Sequence, residues 1–291
     1  MDNKLIVILG PTASGKSELA VKLAKRFDGE IVSADSRQIY KEMAIATAKP
    51  SQKQKAAIHH HLIDIVKPNQ EFNVAIYKKM ATKTIKDVQR RGKLPILCGG
   101  TSFYIQAVID GMVIPEVKPD WKLRKKLEKK SAKELYRILK KLDRERAKTI
   151  EKKNPRRLIR AIEIVLKTKK AVPLLEKKPL AYPVLLLGIK LSEKELKKRI
   201  SQRVGKMFRT GLEKEAENLV ERYGWIPPLK TIGYQEFKDY FERKINKKTL
   251  KELIKLHTFQ FAKRQMTWFK RNQEIKWVKN YPMAEKLIKE L

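Results

Sequence analysis

A glycine-rich segment that ends in lysine and serine is the strongest chemical signal in the sequence. It fits the pattern G-x-x-x-x-G-K-[ST], in which the glycines let the backbone fold around a diphosphate and the N–H groups face its oxygens. Lys16 is expected to reach the terminal phosphate, and the Ser17 hydroxyl is expected to face Mg²⁺. The residues of this phosphate-binding loop are Gly10, Pro11, Thr12, Ala13, Ser14, Gly15, Lys16 and Ser17. The pattern predicts a diphosphate ligand and leaves open which compound carries it.

The segments around this loop alternate between strand and helix patterns. The apolar run Leu5–Leu9 predicts a buried strand before the loop, and residues 18–27 predict a helix after it. Further strands are predicted at 30–33 and 94–98, with an amphipathic helix at 72–91 between them. This alternation predicts the α/β class: a P-loop parallel sheet flanked by helices, with ligands at the carboxyl ends of the strands.

Two other polar clusters fall where predicted strands end. Asp35 follows the second strand, and its carboxylate could hold a metal ion, act as a general base or cap the next turn. Ser36 and Gln38 beside it offer donors and acceptors suited to the edge of a nucleobase. The third cluster is Gly99–Thr101, whose backbone and Thr101 hydroxyl could contact a phosphate or the atom that bridges to it.

The composition indicates a polyanionic partner. The 291 residues include 68 lysines and arginines against 32 acidic residues, a net charge of +36. The excess is densest at 115–180, where 24 basic and 9 acidic residues give +15. Nucleic acid is the partner that such a surface fits best.

The same composition excludes several other classes of protein. A single cysteine, Cys98, rules out an internal disulfide and a cysteine metal cluster. No apolar run is long enough to cross a membrane, and the first strand leaves no room for a signal peptide. We therefore expect a cytoplasmic protein without membrane association.

Prolines and charge divide the chain. Residues 1–114 and 181–291 are expected to form a P-loop core with C-terminal helices, and 115–180 a basic helical insertion. The run 182–191 is predicted as a return strand that rejoins the sheet, followed by helices near 192–208, 211–223, 233–243 and 247–270. The sequence His59-His60-His61 does not suit a metal site, because adjacent residues cannot all face one ion; a packed loop is expected there.

Three basic groups add candidate anion contacts. Arg156, Arg157 and Arg160 cluster in the first turns of a helix, where positive charge opposes the helix dipole. Arg199 and Arg203 lie four residues apart on one predicted helix face. Residues 263–271 mix basic and aromatic side chains, a pattern that suits RNA phosphates and stacked bases as well as an ordinary amphipathic helix.

Taken together, eight segments resemble the bacterial tRNA dimethylallyltransferases, also called tRNA isopentenyltransferases. The resemblance covers nearly the whole chain, in the order expected for that family. The segments are 10–17 (GPTASGKS), 33–40 (SADSRQIY), 47–50 (TAKP), 60–64 (HHLID), 99–104 (GGTSFY), 154–158 (NPRRL), 232–234 (IGY) and 262–268 (AKRQMTW).

The resemblance implies transfer of a dimethylallyl group from dimethylallyl diphosphate to N6 of the adenosine beside the anticodon. It implies that the phosphate-binding loop and Arg203 hold the diphosphate, with Mg²⁺ as cofactor. Asp35 matches the general base, and Thr101 matches the residue at the oxygen that bridges prenyl and diphosphate. The partners implied are tRNA, through its anticodon stem-loop gripped by the insertion, and the prenyl diphosphate; a monomer is expected.

The resemblance also assigns a set of tRNA contacts and shows one departure. The family often has an arginine directly after the threonine that matches Thr258, where this chain has Phe259. The tRNA contacts implied are Asp35, Ser36, Arg37, Gln38, Thr101, Arg124, Arg156, Arg157, Leu158, Ile159, Arg160, Lys230, Gly233, Tyr234, Lys263, Arg264 and Gln265.

Three alternatives share the phosphate-binding loop. A small-molecule P-loop kinase would not need the basic insertion. A nucleic-acid-stimulated ATPase should have a second apolar strand ending in aspartate, which the sequence lacks. An adenylate isopentenyltransferase acting on free nucleotides is the nearest chemical alternative, but it would have less use for an insertion that grips RNA.

Overall fold

A six-stranded parallel sheet forms the centre of the fold. The computed structural model describes residues 3–115, 117–173 and 176–291. The strands lie in the order β3-β2-β4-β1-β5-β6, and all five neighbouring pairs are parallel. They are β1 (Leu5–Leu9), β2 (Gly29–Ser33), β3 (His60–His61), β4 (Leu94–Gly99), β5 (Val184–Ile189) and β6 (Lys276–Val278).

The chain divides into two compact units. One comprises the residues up to Gly111 together with Pro179–Leu291, and the other comprises Met112–Lys178. The helices of the first unit are α1 (Lys16–Arg26), α2 (Gln52–Ala57), α3 (Val74–Arg90), α4 (Ser102–Ile109), α9 (Glu193–Arg209), α10 (Leu212–Tyr223), α11 (Phe237–Phe241), α12 (Lys247–Phe269) and α13 (Tyr281–Lys289). Those of the second are α5 (Trp121–Leu127), α6 (Ala132–Leu142), α7 (Arg144–Thr149) and α8 (Pro155–Thr168).

Both faces of the sheet are buried, as a parallel sheet requires. On one face Leu5, Val7 and Leu97 pack with Tyr77 of α3 and Ile105 of α4. The opposite face packs against α1 and α13, and a third cluster joins α9, α10 and α12 to the segment that follows β2. The segment that follows β2 is therefore packed against three of the C-terminal helices.

The second unit is a helical body with its own core. Leu135 and Leu139 of α6 pack against Leu158 and Ile162 of α8. Glu163 of α8 has no exposed surface and accepts hydrogen bonds from two arginines and one backbone N–H. Burial opposes ionisation of Glu163, but these donors lower its pKa below the ordinary value. The buried carboxylate of Glu163 thus joins α8 to Arg124 of α5 and to the backbone of Asp120.

The predicted fold class is confirmed, and most predicted elements are present. The return strand β5 pairs with β1, as the pattern at 182–191 predicts. The helix predicted at 233–243 is shorter, because only Phe237–Phe241 is α-helical. The strands β3 and β6 and the helices α2 and α13 were not predicted. No helix among the described residues is long and apolar enough to cross a membrane.

The loop expected at His59–His61 was a wrong prediction for its last two residues. His60 and His61 form β3, which pairs with Ile31 and Val32 of β2. His61 Nε2 lies 2.7 Å from Oε2 of the buried Glu30, and the His60 ring contacts the carbonyl oxygen of Ile58. The histidines therefore support the edge of the sheet.

Glu30 gives the fold a testable dependence on pH. Two hydrogen bonds from Arg91, at 2.5 and 2.7 Å, lower the pKa of Glu30 to about 2 despite its burial, and His61 adds to the effect. A lowered carboxyl pKa stabilises the folded state above the unfolded pKa, near 4.5, and this contribution is lost as the pH falls towards 2. It amounts to about 3 kcal/mol.

We therefore predict that Glu30→Gln lowers the free energy of unfolding by about 3 kcal/mol at pH 7. The difference from the wild type should shrink as the pH falls from 4.5 to 2. Urea unfolding at a series of pH values measures it, with the exposed Glu18→Gln as the control. A difference that stays constant down to pH 2 would contradict the assigned ion pair.

Candidate active site

Three turns meet at the carboxyl edge of the sheet. The strand order places β4 between β2 and β1, so the segments that follow these strands are neighbours. They are the turn beginning at Asp35, the turn Gly99–Thr101 and the loop Gly10–Ser17. The three polar clusters predicted from the sequence are therefore brought together at the position where parallel sheets bind ligands.

Gly99 lets two of these turns approach closely. A Cβ atom at Gly99 would lie 2.1 Å from the carbonyl oxygen of Ala34, closer than any side chain permits. The Ala34 N–H donates to Cys98 O at 2.8 Å, and the Thr101 N–H donates to Ala34 O at 3.1 Å. The end of β2 is thus joined directly to the turn that carries Thr101.

Thr101 holds the residue next to Asp35. Its Oγ1 accepts a hydrogen bond of 2.9 Å from the Ser36 N–H. The Thr101 hydroxyl lies 3.3 Å from Ser36 Oγ, a long contact for two hydroxyl groups. An oxygen of a bound ligand would compete for this hydroxyl proton.

Asp35 fills one of the three roles left open by its sequence. Its Oδ1 accepts from the N–H groups of Arg37 at 2.9 Å and Gln38 at 3.4 Å, so the carboxylate does cap the following turn. We find no hydrogen bond to Oδ2 from any residue that the structure describes. One oxygen fixes the orientation of the carboxylate, and the other remains available to a substrate proton.

Two cations lie near this carboxylate. Lys16 and Arg203 are half-buried, and burial lowers the pKa of each, while the charge of Asp35 opposes the shift in both cases. Among the described residues, Lys16 Nζ donates only to Pro11 O, at 3.3 Å. Within the described ranges, the Arg203 guanidinium has neither a hydrogen bond nor an ion pair. A pair of poorly compensated cations beside a phosphate-binding loop is suited to an anionic ligand.

Arg199, one turn before Arg203 on α9, supports the loop itself. Its Nη1 donates to Ser14 O at 3.2 Å, while Nε pairs with Glu195 at 2.7 Å. The Ser14 hydroxyl is buried and has no partner among the described residues. Arg199 and Arg203 were predicted to share one helix face. Of the two, Arg203 is the one that has no partner in the part of the chain that the structure describes.

No preformed metal cluster accompanies the loop. Within residues 3–115, 117–173 and 176–291, no group of three histidine, cysteine or acidic side chains could hold an ion. Ser17 is exposed at the start of α1 and offers one hydroxyl. This donor set fits Mg²⁺, which often binds few protein ligands and takes its other oxygens from phosphates and water.

Several residues assigned to tRNA by resemblance face the interior. Tyr234 has no exposed surface, and its hydroxyl donates to Glu215 Oε1 at 2.6 Å. Gly233 is also buried, and its N–H donates to Glu236 at 2.8 Å. The structure uses the Gly233 N–H and the Tyr234 hydroxyl inside the protein, and the tRNA contacts implied for these two residues stay predictions.

Glu215, which the sequence did not single out, joins Tyr234 to the segment that follows β2. Its carboxylate accepts from the N–H groups of Ala44, Ile45 and Ala46 at 2.8–3.2 Å. It thereby fastens the segment after β2 to α10, and Tyr234 completes the arrangement. The IGY segment was the only sequence feature that pointed to this arrangement. Glu215 and the backbone it holds at Ala44 are far apart in the chain.

Gln38 and Gln265 are engaged in the same way. The Gln38 Nε2 donates to the carbonyl oxygens of Thr47 and Ala48 at 3.2 Å, and its Oε1 accepts from Ser33 Oγ at 3.3 Å. Gln265 is only 6% exposed, with both ends of its amide bonded to the protein. Both amides are thus bonded to the protein in this structure, and the tRNA contacts implied for Gln38 and Gln265 stay predictions.

The resemblance assigns four arginines of the second unit to tRNA, and these four form two groups. Arg124 and Arg160 donate to the buried Glu163, Arg124 through two bonds of 2.9 and 2.7 Å. Arg156 and Arg157 are exposed, and Arg157 makes only a 3.4 Å contact with Glu151. Leu158 and Ile159 are buried core residues of this unit, and the RNA contacts implied for them stay predictions.

Among the cations that the resemblance assigns to tRNA, Lys230, Lys263 and Arg264 are exposed. Phe259, which stands where the family often has arginine, lies under two ammonium groups: those of Lys197 at 5.0 Å and Lys263 at 4.9 Å. The departure therefore replaces one guanidinium with an aromatic surface that holds two lysines.

Comparison with known proteins places the chain among named relatives. The family described as IPP transferase matches residues 38–272. The chain is 41% identical to the tRNA dimethylallyltransferase of Acetivibrio thermocellus, over 100% of this chain and 96% of the relative. It is 44% identical to the enzyme of that name from Halothermothrix orenii, over 95% and 87% of the two chains.

Solved structures show the same likeness. The tRNA isopentenylpyrophosphate transferase of Bacillus halodurans superposes with a TM-score of 0.71 at 35% identity, covering 95% of this chain and 89% of that one. A eukaryotic dimethylallyltransferase acting on tRNA gives a TM-score of 0.78 at 28% identity, over 95% and 73%. The resemblance predicted from the eight segments is thus confirmed: the chain belongs to the IPP transferase family.

Proposed function

We propose that this chain transfers the dimethylallyl group of dimethylallyl diphosphate to N6 of the adenosine next to the anticodon of tRNA, releasing diphosphate. The observation that carries the proposal is the juxtaposition of Asp35 with Lys16 and Arg203. An oriented carboxylate with one oxygen free is suited to take a proton, and two poorly compensated cations are suited to a leaving diphosphate. The similar relatives and solved structures bear names for this activity.

The reaction requires a balanced exchange at three groups. The adenine N6 attacks the first carbon of the prenyl group, and the carbon–oxygen bond to the diphosphate breaks with its electron pair on oxygen. Asp35 Oδ2 takes one proton from the amine. Lys16, Arg203 and the loop N–H groups stabilise the negative charge that grows on the diphosphate, and the Thr101 hydroxyl donates to the bridging oxygen.

Ser17 Oγ would hold Mg²⁺ together with oxygens of the diphosphate. Bound there, the ion would neutralise charge on the leaving group. Cys98 takes no part, since burial raises the pKa of its thiol to about 12 and leaves it protonated at neutral pH.

For RNA binding, each of the two units offers exposed cations. Arg156 and Arg157 at the start of α8 and Lys263 and Arg264 on α12 are free of strong ion pairs and reach solvent. They suit the phosphates of the anticodon stem-loop, whose target adenine must leave its stack to reach Asp35. We place this monomeric enzyme in the cytoplasm with its substrate.

The alternatives fit these observations less well. An ATPase driven by nucleic acid would need a carboxylate at the end of the strand beside the loop strand, where β4 instead ends in Gly99 and Gly100. A kinase or a prenyltransferase of free nucleotides leaves the charge of the second unit without a purpose. Incubating unmodified tRNA with dimethylallyl diphosphate and Mg²⁺ tests the proposal: prenyladenosine found by mass supports it, and its absence, with product from AMP instead, overturns it.

Replacing Asp35 with asparagine tests the general base. The amide oxygen still caps the turn, so only the basic oxygen is lost. We expect Asp35→Asn to lower the single-turnover rate of transfer by about 10²–10⁴-fold. Binding of tRNA should stay within about twofold. The exposed Asp28→Asn serves as control, and an unchanged rate in Asp35→Asn would remove the residue from the mechanism.

Arg203→Gln tests the diphosphate site without any need for catalysis. Because the guanidinium has no partner within the described chain, its loss should act chiefly on the ligand. The affinity for pyrophosphate, measured by calorimetry, should fall by about tenfold or more. Arg209→Gln, an exposed position on the same helix, should bind pyrophosphate normally. Equal affinities in the two variants would contradict the assignment.

The double variant Arg156→Gln/Arg157→Gln tests the RNA surface of the second unit. Each lost phosphate contact should lower the slope of log K against log salt by about one. The matched control removes two exposed charges from α3, Lys83→Gln/Lys86→Gln. If both double variants show the same salt dependence as the wild type, the charge at the start of α8 does not contact RNA.

A further inference from the structure

Gln265 connects the two turns that the proposed reaction needs most. Its Oε1 accepts from the Thr12 N–H at 2.8 Å, and its Nε2 donates to Gly100 O at 2.8 Å. The acceptor end meets a donor and the donor end meets an acceptor, so both partners fix one orientation of the amide. The side chain is almost fully buried. One amide thus spans from the phosphate-binding loop to the turn beside Thr101.

The space around this amide is closed on the side of Gly100. A Cβ atom at Gly100 would lie 2.4 Å from Gln265 Nε2, so no larger residue fits while the amide keeps its place. Both partners are main-chain groups of the site, not flexible side chains. A change in Gln265 would therefore shift, or leave unsatisfied, the backbone on both sides of the bound diphosphate.

The helix geometry separates Gln265 from its neighbours. Lys263, Arg264 and Gln265 follow one another on α12, where successive side chains point about 100° apart. Lys263 and Arg264 are exposed, and Gln265 is buried. The side chain of Gln265 therefore lies in a different environment from those of Lys263 and Arg264, although the resemblance assigns all three residues to tRNA.

We propose that Gln265 is a positioning residue, which sets the distance and orientation between the phosphate-binding loop and the Thr101 turn so that both act on one prenyl diphosphate. The proposal rests on the proposed function for the identity of that ligand. It replaces a direct tRNA contact with an effect on the diphosphate.

Gln265→Met tests this role, because methionine has a similar shape and neither hydrogen bond. Pyrophosphate affinity, measured by calorimetry, should fall about tenfold or more, and KM for dimethylallyl diphosphate should rise with it. The dissociation constant for tRNA, measured by filter binding, should change by no more than about twofold. Gln260→Met, the same change at an exposed position of α12, is the matched control. The opposite result, weaker tRNA binding with unchanged pyrophosphate affinity, would overturn the proposal.

Gly100→Ala disturbs the same amide by adding a methyl group next to it. This variant tests the proposal if Gln265→Met does not fold. The added methyl should displace Nε2 and give the same loss of pyrophosphate affinity with tRNA binding retained. Normal pyrophosphate affinity in a folded Gly100→Ala variant would also refute the role. Since pyrophosphate binding is measured without RNA or turnover, it reports on Gln265 even if the wild-type chain fails to prenylate tRNA.

Discussion

Almost no space separates the ends of β2 and β4, and the candidate site depends on this close approach. Because Gly99 has no side chain, Ala34 O can accept from the Thr101 N–H, and Thr101 can then hold Ser36. The carboxylate of Asp35 is positioned by the same turn. A bulkier residue at Gly99 would separate the proposed base from the turn that meets the leaving group, with every catalytic side chain still present in the chain.

Positive charge occurs both at the half-buried site and on the exposed surface. Lys16 and Arg203 are half-buried, and their desolvation is offset only in part by Asp35, so an anion that enters the site supplies the missing charge. The cations at the start of α8 and on the outer face of α12 stay in water, where they cost little and attract a polyanion from a distance. The proposed diphosphate and RNA ligands would thus meet different kinds of positive charge on one chain.

Local pattern was sufficient for much of this architecture. The phosphate-binding loop, the strands β1, β2, β4 and β5 and the amphipathic helices α3, α9, α10 and α12 follow from apolar periodicity and glycine position. The strands β3 and β6 did not, because two or three residues carry no periodic signal and become strands only by pairing with a neighbour. At the site, residue types predicted Asp35, Lys16 and Thr101, whereas the support from Glu215 depends on contacts between segments far apart in the chain.

Contacts between segments that are far apart in the chain also explain why neighbouring residues in a segment that resembles the family can have different roles. Residues 263–265 lie on a helix, so a segment that contacts RNA must also turn a side chain towards the protein. In α12 that side chain is Gln265, and it ends on the backbone of the phosphate-binding loop. Tyr234 shows the same division, since its hydroxyl ends on Glu215 and thereby on the segment after Asp35. Residues of this kind act on the reaction through the backbone they hold, so their substitution should change how the ligand is held rather than how the RNA is read.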